Sequence, residues 1–160
     1  MEGGATAADN AEGTGIYFTL RGKDNITRIY GNGVANQVRP EAITDSVLTL
    51  PAVTASWLLQ QETDPSGNAI HYLYQDFGAG EMLLETIRYT GTNNAMGTRG
   101  VSFSYTSRSA DYEGDSTIVA SDNAESWQAG YRTQQTQRLS RIRTCTQVDV
   151  SGACGADSNR

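Results

Sequence analysis

The sequence predicts an all-β fold, an antiparallel sheet built of successive hairpins, and three observations carry that expectation. Two runs rich in aromatic and aliphatic residues, 57–63 and 69–74, flank Asp64-Pro65-Ser66-Gly67-Asn68. Proline presets one backbone angle there and Gly67 and Asn68 tolerate positive φ, so the chain reverses. Residues 101–106 alternate without a break, with Val101, Phe103 and Tyr105 on one face and Ser102, Ser104 and Thr106 on the other. That is the period of a half-buried strand. Finally, 17 of the 160 residues are glycine, and turn signals recur about every 8 to 15 residues, a spacing that suits about eight to ten strands.

Taken in order, residues 1–15 are small and polar and predict a disordered tail. They have neither the basic start nor the apolar segment of a secretory signal peptide. A β domain is expected over 16–147. It opens with strands at 16–20 and 26–30, joined by a turn through Gly22, Asp24 and Asn25. From Gly31 to Ala55 the periodicity is weak and Pro40 and Pro51 intervene, which predicts loop with a short strand at 47–50. The central hairpin follows, with Asp64, Gly67 and Asn68 as its turn and Trp57, Ile70, Tyr72 and Tyr74 in its strands. Residues 75–80 turn the chain again into a strand at 81–89 that carries Ile87, and the alternating strand with Phe103 and Tyr105 comes next. These aromatics sit at alternate positions, where cross-strand stacking stabilises a sheet.

A long exposed connection spans 106–126, with a short strand at 117–120, and residues 127–133 and 137–147 complete the strands. Leu139 and Ile142 fall on opposite parities, which implies either a bulge or burial on both faces. By parity alone Arg141 and Arg143 share the face of Leu139. Residues 148–160 form a Cys-containing loop and a polar end. Coming after a strand that still needs a neighbour, that end suggests a fragment of something larger.

Charge and composition exclude several functions. A net charge of −6 and a sequence pI near 4.7 oppose a nucleic-acid surface, whose affinity comes from clustered Lys and Arg. No run approaches the roughly 20 apolar residues of a membrane helix. Cys145 and Cys154, the only cysteines, are separated by a loop short enough to close into a disulfide, and two free thiols are the other reading. Two cysteines cannot complete a structural zinc site, and no metal or other cofactor is expected.

Nor does a catalytic set assemble. His71, the one histidine, lies on the parity opposite Ile70, Tyr72 and Tyr74, as a surface or satisfied sheet residue would. Glu81 and Glu85 share a strand face and predict a solvated pair. Asp111, Glu113 and Asp115 could offer oxygens to calcium but lack the spacing of an EF-hand loop. Gly97-Thr98-Arg99-Gly100 and Gly31-Asn32-Gly33 lead into no phosphate-binding helix.

The order of the pieces resembles a known family. Trp57-Leu58, then Asp64-Pro65-Ser66-Gly67-Asn68-Ala69-Ile70-His71-Tyr72-Leu73-Tyr74, then Leu84-Glu85-Thr86-Ile87-Arg88-Tyr89-Thr90-Gly91, then Val101-Ser102-Phe103-Ser104-Tyr105 is similar to the SpvB-type shell region of bacterial toxins. That region occurs in the B components of insecticidal toxin complexes and in the Rhs/YD-repeat superfamily. Tyr30-Gly31 upstream and Arg138-Leu139-Ser140-Arg141-Ile142 downstream extend the resemblance to residues 16–145.

The resemblance implies a secreted, non-catalytic structural module, a fragment of a larger β-shell. Its partners would be the remainder of the toxin shell and an effector cargo. It adds weight to a Cys145–Cys154 bond, since related shell proteins often carry a Cys pair at this place. The ADP-ribosyltransferase signature of some such toxins, Glu-x-Glu with Ser-Thr-Ser, does not occur in these residues. An extracellular module that recognises glycan or protein through exposed aromatics is the alternative.

Overall fold

Antiparallel strands take up most of the described residues; in this computed structural model these are 4–9, 16–33, 36–39, 54–92, 95–108, 124–128 and 131–148. One sheet has eight strands: β1 (Gly4–Asp9), β2 (Ile16–Arg21), β3 (Thr27–Tyr30), β6 (Leu59–Thr63), β7 (Asn68–Asp76), β8 (Met82–Thr92), β9 (Arg99–Ser107) and β12 (Gln137–Cys145), adjacent in that order. Two excursions leave it and return. β4 (Gln37–Val38) pairs with β5 (Ser56–Trp57), and β10 (Ala124–Gln128) pairs with β11 (Tyr131–Gln135). The described residues thus hold twelve strands, against the eight to ten expected. No helix among them is long and apolar enough to cross a membrane.

Several expectations are corrected. The proposed tail is partly a strand, since Gly4–Asp9 pairs with β2 over six residues. A ladder is built from backbone N–H and C=O groups, so small side chains suffice to cover an otherwise open edge. Trp57 belongs to the two-residue β4–β5 ladder rather than to the main sheet. The strand expected over 127–133 is divided between β10 and β11. The short strands expected at 47–50 and 117–120, and the acidic group Asp111, Glu113 and Asp115, lie outside the described residues.

Bulges decide which side chains share a face. β12 slips by one residue at Ser140 against β9, where the Ser140 hydroxyl donates to the Ser104 carbonyl at 2.9 Å. Leu139 pairs with Tyr105 and Ile142 with Phe103, which brings these two apolar residues onto one face. Arg141 and Arg143 pair with Ser104 and Ser102 on the opposite face, so parity counting had them wrong relative to Leu139. Two further slips fall between β7 and β8. In the first, Thr90 adopts a φ of +66°.

With the registers set, one face carries Phe18, Tyr30, Tyr72, Tyr74, Leu84, Ile87, Val101, Phe103, Tyr105, Leu139 and Ile142, and we call it the aromatic face. The other carries Gln61, His71, Thr86, Arg88, Gly100 and Ser102. Within the main sheet the deepest burial lies on this second, polar face, at Ala69, His71, Thr86 and Arg88 with Val148 beside them; outside it, Gln37 of β4 is buried as deeply.

Candidate functional site

The turn at the head of the central hairpin organises itself. The Asp64 carboxylate accepts from the backbone N–H of Ser66 and of Asn68, both at 2.8 Å, and from the Asn68 amide at 2.7 Å. Gly67 sits at φ +86°, a conformation that costs a side-chain-bearing residue. The Asn68 side chain, followed by the backbone donors, holds the Asp64 carboxyl below its ordinary pKa.

On the aromatic face the sequence-predicted residues gather on adjacent strands, but their rings do not stack on one another as expected. The ring contacts among the described residues are Phe18 with Trp57, edge-on at 4.9 Å, and Phe77 with Tyr105, edge-on at 5.8 Å. Phe18 and Phe77 were not singled out by alternation, because Phe18 meets a ring from the side ladder and Phe77 itself lies in the turn between β7 and β8. Trp57 also donates its indole N–H to the Ile16 carbonyl at 2.6 Å.

The tyrosines act through their hydroxyls instead. β6 and β7 pair only from Gln61/His71 to Thr63/Ala69 and then diverge, and the Tyr74 hydroxyl reaches across that fork to the Leu59 carbonyl at 2.9 Å. β8 and β9 pair only from Thr86/Ser102 to Tyr89/Arg99, and the Tyr105 hydroxyl crosses the second fork to the Leu84 carbonyl at 2.7 Å. Tyr72 donates to Glu62, whose other carboxylate oxygen pairs with Arg28 at 2.7 Å. Burial, reinforced by that neighbouring carboxylate, pushes the Tyr72 phenol up to about 12. Burial raises Tyr74 and Tyr105 as well.

Every described apolar side chain on this face is half-buried or exposed. Ile70 lies at the boundary between the two, and Leu139 and Ile142 are 48% and 57% exposed. Ile87, Phe103 and Tyr105 are half-buried. The result is an apolar wall whose named side chains come from six of the eight strands, interrupted at β3 and β6 by the Arg28–Glu62 ion pair.

The polar face is closed at its centre. Arg88, 8% exposed, donates to the Gly97 carbonyl at 3.0 Å and to the Val148 carbonyl at 3.5 Å. Glycines make this closure possible, because a Cβ on Gly97 would run into the Tyr89 carbonyl, and one on Gly100 would lie 2.6 Å from the Ile87 carbonyl. His71, the cross-strand partner of Arg88, is 7% exposed. It is therefore not a surface residue. Nor is it satisfied at Nδ1, which has no hydrogen-bond partner among the described residues. Burial, with Arg88 adding to it, depresses its pKa.

Glu81 corrects the expectation of a solvated pair with Glu85. It precedes β8, is buried, and accepts from the Thr136 N–H and hydroxyl at 2.8 and 2.6 Å and from the Gln137 N–H at 3.0 Å. It thereby ties the β7–β8 turn to the start of β12. Cys145, at the end of β12, is disulfide-bonded; Cys154, the chain's other cysteine, lies outside the described residues.

Comparison with known proteins bears on this wall. The family described as SpvB, Salmonella virulence plasmid 65kDa B protein, matches residues 6–95. The solved N-terminal domain of effector protein SpvB from Salmonella typhimurium strain LT2 superposes with a TM-score of 0.61 at 14% identity, over 88% of this chain and 53% of that one. A TcdB2-TccC3-Cdc42 crystal structure superposes with a TM-score of 0.56 at 14% identity, over 81% of this chain and 8% of that one. The chain therefore spans about half of the solved SpvB domain, and at these identities the likeness is one of fold. No curated protein matches.

Proposed function

The chain belongs to the SpvB family, and from that premise we propose that it is a non-catalytic structural module of a secreted bacterial toxin. It forms part of a β-shell that encloses or carries a toxic effector. The observation that carries this reading is the aromatic face: an eight-stranded antiparallel wall whose apolar side chains are nowhere buried among the described residues. An unfolded polypeptide presents scattered apolar side chains and unpaired backbone. A wide apolar surface with tyrosine hydroxyls at intervals suits such a cargo better than a folded ligand of fixed shape. The remainder of the shell would be the other partner, continuing the sheet beyond its edges.

The test places charge on the wall without touching what holds it together. In a double variant, Ile70→Asp with Ile142→Asp, binding of a reduced, carboxymethylated polypeptide should fall at least about tenfold while the circular dichroism of the sheet is kept. Equal binding by both proteins would sink the reading. Saturable binding of glycans in place of the unfolded chain, lost in the same variant, would favour a recognition module.

A further inference from the structure

β12 ends at Cys145, whose Cα partner on β9 is Gly100. Beyond it the chain comes back to the approach to β9 at Val148. The Val148 N–H donates to the Thr98 carbonyl at 2.6 Å, and its carbonyl accepts from Arg88 at 3.5 Å. Its side chain is 5% exposed, with Cγ2 3.0 Å from where a Cβ on Gly100 would stand. Val148 thus completes the cover over Arg88, and the disulfide-bonded Cys145 stands just before it in the chain. Cys145 and Cys154 are the only cysteines, so a bond within one chain joins these two. We propose that this disulfide is a redox latch: while it stands, Val148 closes the polar face, and its reduction frees residues 146–148 from Gly100 and Arg88.

Magnitudes explain why a crosslink decides the matter. Fixing the backbone of residues 146–148 costs a factor of roughly 10² to 10⁴ in the closed-to-open ratio. Burying one valine side chain and forming one backbone hydrogen bond returns roughly 10 to 10³. The segment alone is therefore close to balance. A bond between Cys145 and Cys154, with eight residues between them, removes open arrangements worth about a hundredfold, enough to hold the segment down. Thr144, Thr146 and Gln147 around Cys145 are exposed, which gives a reductant access to the sulfur. A thiolate of a dithiol attacks the S–S bond, and its second thiolate then displaces the remaining protein sulfur. Two electrons and two protons pass to the chain, which is left with two thiols, and the reductant leaves as its own disulfide. The latch therefore stays shut in an oxidising compartment and opens where thiols are kept reduced. It acts on the face opposite the wall, so it does not rest on the shell reading and either can fail without the other.

Amide hydrogen exchange followed by NMR on the whole chain reads the latch at the Val148 N–H. Reduction with dithiothreitol should speed that exchange about a hundredfold while exchange along the β7–β8 ladder stays as it was. Cys145→Ser should give the same pattern without reductant. If Cys145→Ser fails to fold, Cys154→Ser, which changes no residue of β12, decides in its place. Unchanged exchange at Val148 after reduction would overturn the proposal. So would an equal acceleration along the β7–β8 ladder, which would mean that the bond holds the whole sheet and not this segment. A disulfide left intact in the folded chain by reduced glutathione would overturn it as well, as would mass spectrometry that finds Cys145 joined to a second chain.

Discussion

The two faces of the main sheet invert what their residues lead one to expect. The face of Tyr72, Tyr74, Ile87, Phe103 and Tyr105 has no described apolar side chain that is buried, whereas the face of His71, Thr86 and Arg88 holds the deepest burial in the sheet. Alternation sorts side chains into two sets, but what covers each set decides which is inside. On the polar face residues 95–98 and Val148 do the covering, held by Arg88 and admitted by glycines. That cover is built from backbone carbonyls, which favour a guanidinium beneath them rather than a leucine.

The contrast can be broken most sharply at Arg88. Arg88→Met removes the donor to the Gly97 and Val148 carbonyls and should cost about 3 kcal/mol in urea unfolding, since buried hydrogen bonds to a charged group are the strong ones. A loss under about 1 kcal/mol would mean that the cover stays without it. Next in size is Gly97→Ala, expected to cost about 2 kcal/mol because the obstacle is the backbone carbonyl of Tyr89, which cannot swing aside as a side chain would.

Acid should weaken the same face. The folded pKa of His71 lies below its ordinary value of 6.5, so the unfolded chain binds the proton more readily. The stability linked to this group is complete above that value and is lost as the pH falls through the lowered folded pKa. Unfolding midpoints should therefore drop as the pH falls below about 6.5, and His71→Gln should flatten that slope. An unchanged slope would remove His71 from the account.

The aromatic face should yield smaller numbers. Tyr105→Phe deletes the hydroxyl that spans the β8–β9 fork and should cost about 1 kcal/mol. Ile142→Thr, at a side chain 57% exposed, should stay within about 0.5 kcal/mol. If Ile142→Thr costs more than Tyr105→Phe, the wall is covered and the proposed cargo surface is not available.

The strands and the central turn were legible in the sequence because both are local. Alternation at 101–106 and the Asp64 to Asn68 turn depend on residues within a few positions of each other. The misreadings came from contacts distant in sequence. Glu81 looked like one of two solvated carboxylates because its donors, Thr136 and Gln137, lie on another strand. Trp57 looked like part of the main sheet because nothing nearby announces β4, and its ring partner is Phe18 on β2. The bulge at Ser140 was half legible. Leu139 and Ile142 demanded either a bulge or two buried faces, and only pairing against Tyr105 and Phe103 chooses between them.

The short pairings have a mechanical consequence. β7 keeps eight rungs with β8, and β9 eight with β12, but β6 shares only three with β7, and β8 only four with β9. Ladders of four rungs also join β2 to β3 and β3 to β6, but only the β6–β7 and β8–β9 ladders open into forks. Along these two seams the wall is jointed into panels, stitched by the Tyr72 and Tyr74 phenols at the first and by the Tyr105 phenol at the second. Something pressed against one side would open the seams before it deformed a panel, and the curvature of the surface would adjust to whatever it holds.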